Sequence, residues 1–206
     1  MSRECINISM NYLAHLFLAD RTPESLIGNL LGDFMKGSVK EQYSKAIAQG
    51  IELHRQVDLY TDSHPVVRQT KQLISIERRR YAGVLLDVFY DHFLAKYWMN
   101  YSSTTLKEFS LIVYNILWEN KSILPERLRQ AVPKIIEQDW LNSYQETSGI
   151  ELAINRLAQR AKKGNPLFCG VEELKTHYQE IDYSFQKFFP ELVSYVKSQS
   201  SNQELL

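Results

Sequence analysis

With 206 residues, 44% of them hydrophobic and 23% charged, the chain is long enough for one large domain with a well-packed core. Lysine plus arginine and aspartate plus glutamate number 24 each, so net charge argues neither for nor against a nucleic-acid partner, and any charged partner must be recognised by a local patch. The two cysteines, Cys5 and Cys169, lie far apart and form neither a disulfide framework nor a zinc pattern, which favours a reducing, cytoplasmic location.

No segment predicts insertion into a membrane. The apolar run over residues 12–19 is too short to span a bilayer and is interrupted by His15. The order of basic, apolar and small residues that marks a signal peptide does not occur, so we expect a soluble intracellular protein.

Helical periodicity dominates the chain, and eight glycines and six prolines are too few for a strand-and-turn protein. Residues 22–24 (Thr-Pro-Glu) predict a helix start, and Gly37 ends that helix. Ser148 and Glu151 have the spacing of a capping box. Further helices are predicted over residues 43–61, from Pro65 towards residues 78–80, and over 82–101, 106–118, 125–140, 171–188 and from Pro190. The pattern predicts one all-α domain with a polar tail at 198–206.

The segment LLDVFYDHFL, residues 85–94, combines an apolar helix with Asp87, Asp91 and His92. The two aspartates are four residues apart and share a face, whereas His92 is rotated by about 100° from Asp91. Two carboxylates in apolar surroundings would repel each other and lose hydration. A cation or protons must therefore face them.

Three other apolar segments also bring acids or imidazoles inward. His54, Asp58 and Asp62 recur every four residues, Asp33 lies in GNLLGDFMKG, and His15 lies in NYLAHLFLA. Carboxylate and imidazole ligands from facing helices suit Mn²⁺, Fe²⁺, Mg²⁺ or Zn²⁺. The same residues also permit a simpler interpretation, in which His15 is an ordinary core or surface residue and Asp87 with Asp91 pairs with Arg55 or Arg78 across a helix interface.

Four motifs together resemble the acyl carrier protein phosphodiesterase family. They are NYLAHLFLA from residue 11, GNLLGDFMKG from 28, LHRQVDLYTDSHP from 53 and LLDVFYDHFLAKYW from 85. The resemblance implies a helical fold related to HD-type metal-dependent phosphohydrolases, although residues 91–92 read Asp-His and not His-Asp. It also implies release of 4'-phosphopantetheine from holo-acyl carrier protein with a divalent metal, for which Mn²⁺ is expected and Mg²⁺ or Fe²⁺ are alternatives. Relatives start near Met10, so residues 1–9 are predicted to be an extension of a domain over 10–197.

Roles follow from this resemblance as hypotheses. A metal could activate water and neutralise the phosphoryl oxygens. His15 or His92 could protonate the leaving serine oxygen, and Asp62 could orient a ligand or the attacking water. Arg55 could face the phosphate. The proposed metal ligands are Asp33, His54, Asp58, Asp87 and Asp91.

An acidic carrier protein requires a basic docking surface. Arg78, Arg79 and Arg80 are the first candidates, and Lys162 with Lys163 is the reserve. One alternative is a phosphohydrolase for nucleotides or other small phosphoesters, which needs no docking patch. Another is a non-catalytic helical binding module whose acids are structural. Neither a nucleic-acid partner nor membrane insertion is expected, and the oligomeric state is left open.

Overall fold

The structure, a computed structural model, describes residues 12–35, 37, 42–160 and 164–203, with side chains through residue 199. Regular structure in these residues is helical throughout, with short 3-10 turns and no strand, which confirms the all-α prediction. The α-helices are α1 (Tyr12–Leu18), α2 (Pro23–Leu31), α3 (Lys45–Ser63), α4 (Pro65–Thr70), α5 (Ala82–Lys96), α6 (Leu106–Glu119), α7 (Glu126–Glu137), α8 (Trp140–Ser143), α9 (Thr147–Arg160), α10 (Val171–Thr176) and α11 (Tyr178–Gln203).

Helix starts follow local capping chemistry. The predicted start of α2 is confirmed, since the Thr22 side chain accepts a hydrogen bond from the backbone N–H of Ser25. The predicted capping box at Ser148 is wrong, because α9 begins at Thr147 and Ser148 already lies inside the helix. A capping box exists instead between Thr105 and Glu108 at the start of α6.

Several predicted helix ends are also wrong. The helix predicted over residues 82–101 ends at Lys96, and a 3-10 turn follows it. The segment predicted over 125–140 is divided into α7 and α8, because Asp139 adopts a left-handed conformation with φ 44°. Pro190 lies inside α11 and does not start a helix. An internal proline removes a backbone hydrogen bond, and burial of Phe188 and Phe189, which directly precede it, offsets that loss.

Helix α5 is the centre of the core. Leu85, Leu86, Phe89, Phe93 and Leu94 are 0% exposed, and the helix packs against α1, α9 and α11. Each such side chain contributes about 1.5–3 kcal/mol on burial. The polar residues of α5 therefore lie in a helix whose apolar side chains pack against other helices on several sides.

Close contact between α2 and α3 fixes the next part of the frame. A Cβ atom on Gly28 would lie 2.4 Å from the carbonyl oxygen of Ile47 and 2.8 Å from Cα of Gly50. Only glycine permits this approach of two helix backbones. The contact sets the distance between the end of α2 and the middle of α3.

The predictions for the two ends of the chain concern residues 1–9 and 198–206. The predicted extension over residues 1–9 lies outside the described residues, and the segment predicted as a tail begins within α11. Among the helices described here, none has the length and apolar character needed to cross a membrane. The cytoplasmic location, the domain boundaries and the relation to HD-type bundles stay predictions.

Candidate metal centre

Three side chains from two helices converge on one point. His15 belongs to α1, while His54 and Asp58 lie four residues apart on one face of α3. One ligand atom from each lies within 4.8 Å of the others. The Nε2 atom of His15 is 3.2 Å from Oδ1 of Asp58, and the Nε2 atom of His54 is 3.3 Å from Oδ2 of the same carboxylate. The Asp58 side chain is 46% exposed, so this cluster, called the centre below, is open to solvent on that side.

Asp33 joins the centre from the end of α2. Its Oδ1 atom lies 3.4 Å from Nε2 of His54, and its side chain is 6% exposed. The glycine contact between α2 and α3 brings the two helices close enough for this approach. Three of the four sequence motifs therefore supply side chains to one site.

Four buried polar atoms of the centre lack hydrogen-bond partners among the described residues. The imidazole–carboxylate contacts do not have the directions of hydrogen bonds, and both ring nitrogens of His15, Nδ1 of His54 and Oδ1 of Asp33 are buried and unpaired. Each unpaired buried group costs about 1–3 kcal/mol. Imidazole nitrogens and carboxylate oxygens are ligands of divalent metals. These residues therefore fit a divalent metal ion.

The two stacked imidazoles differ in protonation. Their rings stack with centroids 3.7 Å apart and an interplanar angle of 19°. Burial and the charge of His54 lower the pKa of His15, despite the nearby Asp58. Burial also opposes protonation of His54, but Asp33 and Asp58 outweigh it and raise the pKa of His54 to about 10. Burial would raise the pKa of Asp58, yet the two imidazoles hold it well below its usual value. Without a metal, the centre carries its proton on His54.

This protonation predicts that stabilisation by a metal depends on pH. The pKa of His54 is raised from about 6.5 to about 10, so the contribution of its proton to the metal-free fold is complete below about pH 6.5 and is lost as pH rises from there to about 10. A metal that binds His54 must displace the proton and competes better at higher pH. The rise in melting temperature that Mn²⁺ produces should therefore be larger at about pH 8.5 than at about pH 6.5.

Melting curves in Mn²⁺ and in chelator at both pH values measure this difference. His54→Gln should show little Mn²⁺-dependent rise at either pH, because it lacks both a ligand and the group that exchanges its proton for the metal. An equal Mn²⁺-dependent rise at both pH values in the wild-type protein would contradict the assignment.

Asp87 lies on α5 beside this centre without a partner. It has no hydrogen bond or ion pair with any described residue, and burial raises its pKa well above the usual value. The charges of Asp58 and Asp62 raise it further, and Lys71 offsets only part of the effect. A cation at the centre would relieve this repulsion. The charges around the centre therefore act on Asp87, although Asp87 is not among the residues whose ligand atoms converge within 4.8 Å of one another.

Asp91 lies one turn further along α5, but its oxygens are occupied. Oδ2 accepts a hydrogen bond from the backbone N–H of Leu13 at 2.9 Å, and Oδ1 accepts one from that of Ala14 at 2.8 Å. The side chain is fully buried, and burial raises the pKa of Asp91 to about 7, although the two N–H groups oppose the rise. Both N–H groups belong to the first turn of α1. Asp91 therefore holds the helix that carries His15.

The other two residues predicted to be catalytic lie apart from the cluster. Both ring nitrogens of His92 have partners at 2.8 Å, the carbonyl oxygen of Tyr144 and the hydroxyl of Tyr178. Burial lowers the pKa of His92. Asp62 lies at the rim, where it is 73% exposed and accepts a hydrogen bond from Nζ of Lys71 at 2.6 Å. The catalytic roles of His15, His92 and Asp62 stay predictions.

The arginine predicted to face the phosphate holds a neighbouring segment. Nη2 of Arg55 donates to the carbonyl oxygens of Met35 at 3.2 Å and Gly37 at 2.9 Å. These carbonyls follow the end of α2, close to Asp33. Arg55 therefore stabilises the chain that leads away from the centre.

The three arginines predicted to dock a partner differ in their contacts. Arg78 forms an ion pair with Glu173 at 3.1 Å, and Arg79 donates to the carbonyl oxygen of Ile74 at 2.9 Å. Arg80 is exposed and rests on the ring of Tyr81 at 4.6 Å, without a hydrogen bond to any described residue. Of this patch, Arg80 keeps its guanidinium free for a partner. Lys162 and Lys163 lie outside the described residues.

Sequence reasoning missed the role of Gly32. A Cβ atom at this position would fall 2.2 Å from both Cγ and Cδ2 of His54, so the ring occupies the space beside the glycine. The signal was a glycine inside an apolar helix next to an acid, which often marks close packing. Gly32 allows His54 to reach the position it has.

Gly32→Ala should displace the His54 ring and weaken divalent-metal binding by about tenfold or more. Overpacking of this kind costs about 1–3 kcal/mol, so the melting temperature should also fall. Calorimetric Mn²⁺ titration and thermal melts measure both effects. Gly83→Ala is the matched control, because a Cβ there would meet nothing closer than 3.6 Å. If Gly32→Ala bound Mn²⁺ as tightly as the wild type, metal binding would not depend on the position of the His54 ring.

Comparisons with known proteins cover nearly the whole chain. The family model described as acyl carrier protein phosphodiesterase matches residues 10–192. A protein of that name from Pectobacterium atrosepticum is 35% identical over 191 residues, which are 92% of this chain and 99% of the relative. Proteins of the same name from Serratia proteamaculans and Escherichia coli are 34% and 32% identical, over 91% and 89% of this chain and 98% and 96% of their own length.

No solved structure matches the chain. The matched region of the family model includes every side chain of the centre, and the similarity extends over almost the full length of these relatives. The chain belongs to the acyl carrier protein phosphodiesterase family.

Proposed function

We propose that this protein hydrolyses the phosphodiester that links 4'-phosphopantetheine to the serine of holo-acyl carrier protein, which yields the apo form. The observation that carries the proposal is the convergence of His15, Asp33, His54 and Asp58, from three sequence motifs, on one centre. The family match over residues 10–192 and the name of the relatives supply the reaction and the substrate.

The centre has the ligands for a divalent ion. His15, His54 and Asp58 would hold it, with Asp33 and Asp87 as flanking carboxylates, and Mn²⁺ is the ion that we propose, with Mg²⁺ and Fe²⁺ as competitors. Such an ion neutralises charge on phosphoryl oxygens and lowers the pKa of water. Relative to the sequence-based hypothesis, His15 becomes a ligand.

The remaining residues prepare the centre before substrate arrives. Gly32 leaves space for the His54 ring, and Asp91 fixes the first turn of α1. We therefore propose that Asp91 is a positioning residue and not a ligand. Preorganisation of this kind matters because ligands must be held in place for a metal site to function.

The reaction is tested by incubating the purified protein with holo-acyl carrier protein and Mn²⁺. Mass spectrometry should show loss of the phosphopantetheine arm, and chelator should prevent it. Hydrolysis of a nucleotide panel without release of the arm would favour the alternative of a small-phosphoester hydrolase. Absence of both activities, with no Mn²⁺-dependent change in melting temperature, would favour a non-catalytic binding module.

We further propose that Arg80 contributes to docking of the acidic carrier protein. Arg80→Glu should raise KM for holo-acyl carrier protein by about tenfold at low salt with little change in kcat, because exposed charges steer association. The effect should shrink as salt rises, since screening shortens the range of the charge. A steady-state titration at two salt concentrations measures it.

Arg78→Glu is the informative comparison. Glu173 lies 3.1 Å from Arg78 and would face a like charge, so this variant should lose thermal stability. If Arg80→Glu leaves KM unchanged at low salt, docking lies elsewhere, and Lys162 with Lys163 is the next pair to test.

A further inference from the structure

Lys71 brings a positive charge to the rim of the acidic centre. It begins the 3-10 turn Lys71–Leu73 that follows α4, and its Nζ atom lies 2.6 Å from Oδ1 of Asp62. The same Nζ atom lies 3.6 Å from the position that a Cβ would take on Gly83, so it rests against the first turn of α5. Asp87 follows one turn later on that helix. Lys71 therefore lies between the end of α3 and the acidic face of α5.

The Lys71 side chain is more enclosed than its partner. It is 22% exposed, whereas Asp62 is 73% exposed. The lysine is thus held by its surroundings, and the exposed aspartate can move aside at little cost because exposed ion pairs are weak. An anion that reaches the rim could replace the Asp62 carboxylate as the partner of Nζ.

The neighbouring cations are less suited to this task. Nη2 of Arg55 is bonded to the two carbonyl oxygens that follow α2, and Nε of Arg68 donates to the backbone carbonyl of Asp62 at 3.2 Å. Lys71 is instead paired with a replaceable carboxylate, and its charge acts on Asp87.

An anionic substrate needs such a charge. A phosphodiester carries one negative charge, and the carboxylates of Asp33, Asp58, Asp62 and Asp87 would repel it. A divalent ion at the centre would neutralise part of that charge, and a second positive group on the outer side would help to fix a phosphoryl oxygen. An ammonium group provides a charge-assisted hydrogen bond to a phosphate oxygen.

We propose that Lys71 binds the phosphate of the substrate, with Asp62 holding the ammonium group until substrate arrives. The ligand class is a phosphate ester, with one non-bridging oxygen on Nζ of Lys71. This inference rests on the proposed function, because it assumes that a phosphodiester enters the centre. Lys71 is a binding residue in this proposal, and Asp62 positions it.

The test uses inorganic phosphate as a probe of the full-length, Mn²⁺-loaded protein. Lys71→Met should weaken phosphate binding by at least about tenfold, the scale of a lost charge-assisted hydrogen bond. The same variant should not weaken Mn²⁺ binding, because the lysine that it removes is a positive charge that repels the ion. Asp62→Asn should keep or strengthen phosphate binding, since it frees the ammonium group. Lys71→Arg should restore part of the affinity.

A merely structural contact between Lys71 and Asp62 gives a different pattern. Lys71→Met and Asp62→Asn would then have the same effect on phosphate binding, and that result would overturn the proposal. Lys187→Met is the matched control, because Lys187 is exposed on α11 and rests on the ring of Tyr183. Circular dichroism checks that each variant retains its helices.

Kinetics separate this inference from the proposed function. In Lys71→Met, KM for holo-acyl carrier protein should rise by at least about tenfold, while Mn²⁺ affinity does not fall below the wild-type value. If wild-type protein does not release the phosphopantetheine arm but the phosphate pattern holds, the proposed reaction fails and Lys71 remains a phosphate-binding residue. If the arm is released and Lys71→Met binds phosphate as tightly as the wild type, the inference about Lys71 fails alone.

Discussion

Asp58→Asn should abolish measurable Mn²⁺ binding and strongly reduce release of the phosphopantetheine arm. Asp58 is the carboxylate that faces both imidazoles, with oxygens 3.2 Å from Nε2 of His15 and 3.3 Å from Nε2 of His54. The amide keeps the shape of the side chain, but it removes the charge and replaces one oxygen by an N–H donor. A metal contributes several kcal/mol to the transition state, so its loss should lower kcat by at least about a thousandfold.

Calorimetric Mn²⁺ titration and the mass assay measure the two effects separately. Asp182→Asn is the control, because Asp182 lies on α11 and accepts a hydrogen bond from Tyr97 at 2.7 Å. It should bind Mn²⁺ as the wild type does, whatever its melting temperature. If Asp58→Asn melts earlier but keeps its Mn²⁺-dependent rise in melting temperature, then Asp58 forms a structural ion pair and not a metal site.

Part of this centre could be predicted from the sequence. Residues four apart on a helix share a face, so His54 and Asp58 had to point in the same direction. The apolar surroundings of His15 and Asp33 indicated that their side chains lie near the core. The structure brings all four together.

The partners of α5 could not be predicted in the same way. Asp87 and Asp91 share a face, yet Asp87 borders the acidic centre while Asp91 binds backbone N–H groups of α1. Helix periodicity gives the direction of a side chain but not the element that it meets. The place where the start of α1 lies against α5 depends on tertiary packing, which a local sequence pattern does not predict.

The arginines at residues 78–80 show a second limit. A run of like charges usually predicts an exposed face, but Arg78 binds Glu173, a residue 95 positions further along the chain. Arg79 bonds a carbonyl of its own loop. A run of charges describes only neighbouring residues, so it cannot reveal a contact with a distant part of the chain. It did indicate that Arg80 is exposed.

Asp91→Ala should destabilise the protein by about 3 kcal/mol, because it leaves the buried N–H group of Leu13 and the part-buried N–H group of Ala14 without their acceptor. For a domain of this size the melting temperature should fall by about 6–12 °C. Asp91→Asn should have a smaller effect, since its amide oxygen can still accept one of the two hydrogen bonds. Thermal melts in the presence of chelator measure this contribution to the metal-free fold.

The response to Mn²⁺ distinguishes a positioning residue from a ligand. The oxygens of Asp91 lie 2.9 Å and 2.8 Å from the N–H groups of Leu13 and Ala14, so their loss loosens the start of α1 and with it His15. Asp91→Asn should therefore bind Mn²⁺ more weakly but recover most of its kcat once Mn²⁺ is saturating, because the ligands themselves remain. Asp58→Asn should not recover at any Mn²⁺ concentration. If Asp91→Asn behaves like Asp58→Asn in this titration while its helices remain intact, Asp91 contributes directly to the metal site and α1 is held by other contacts.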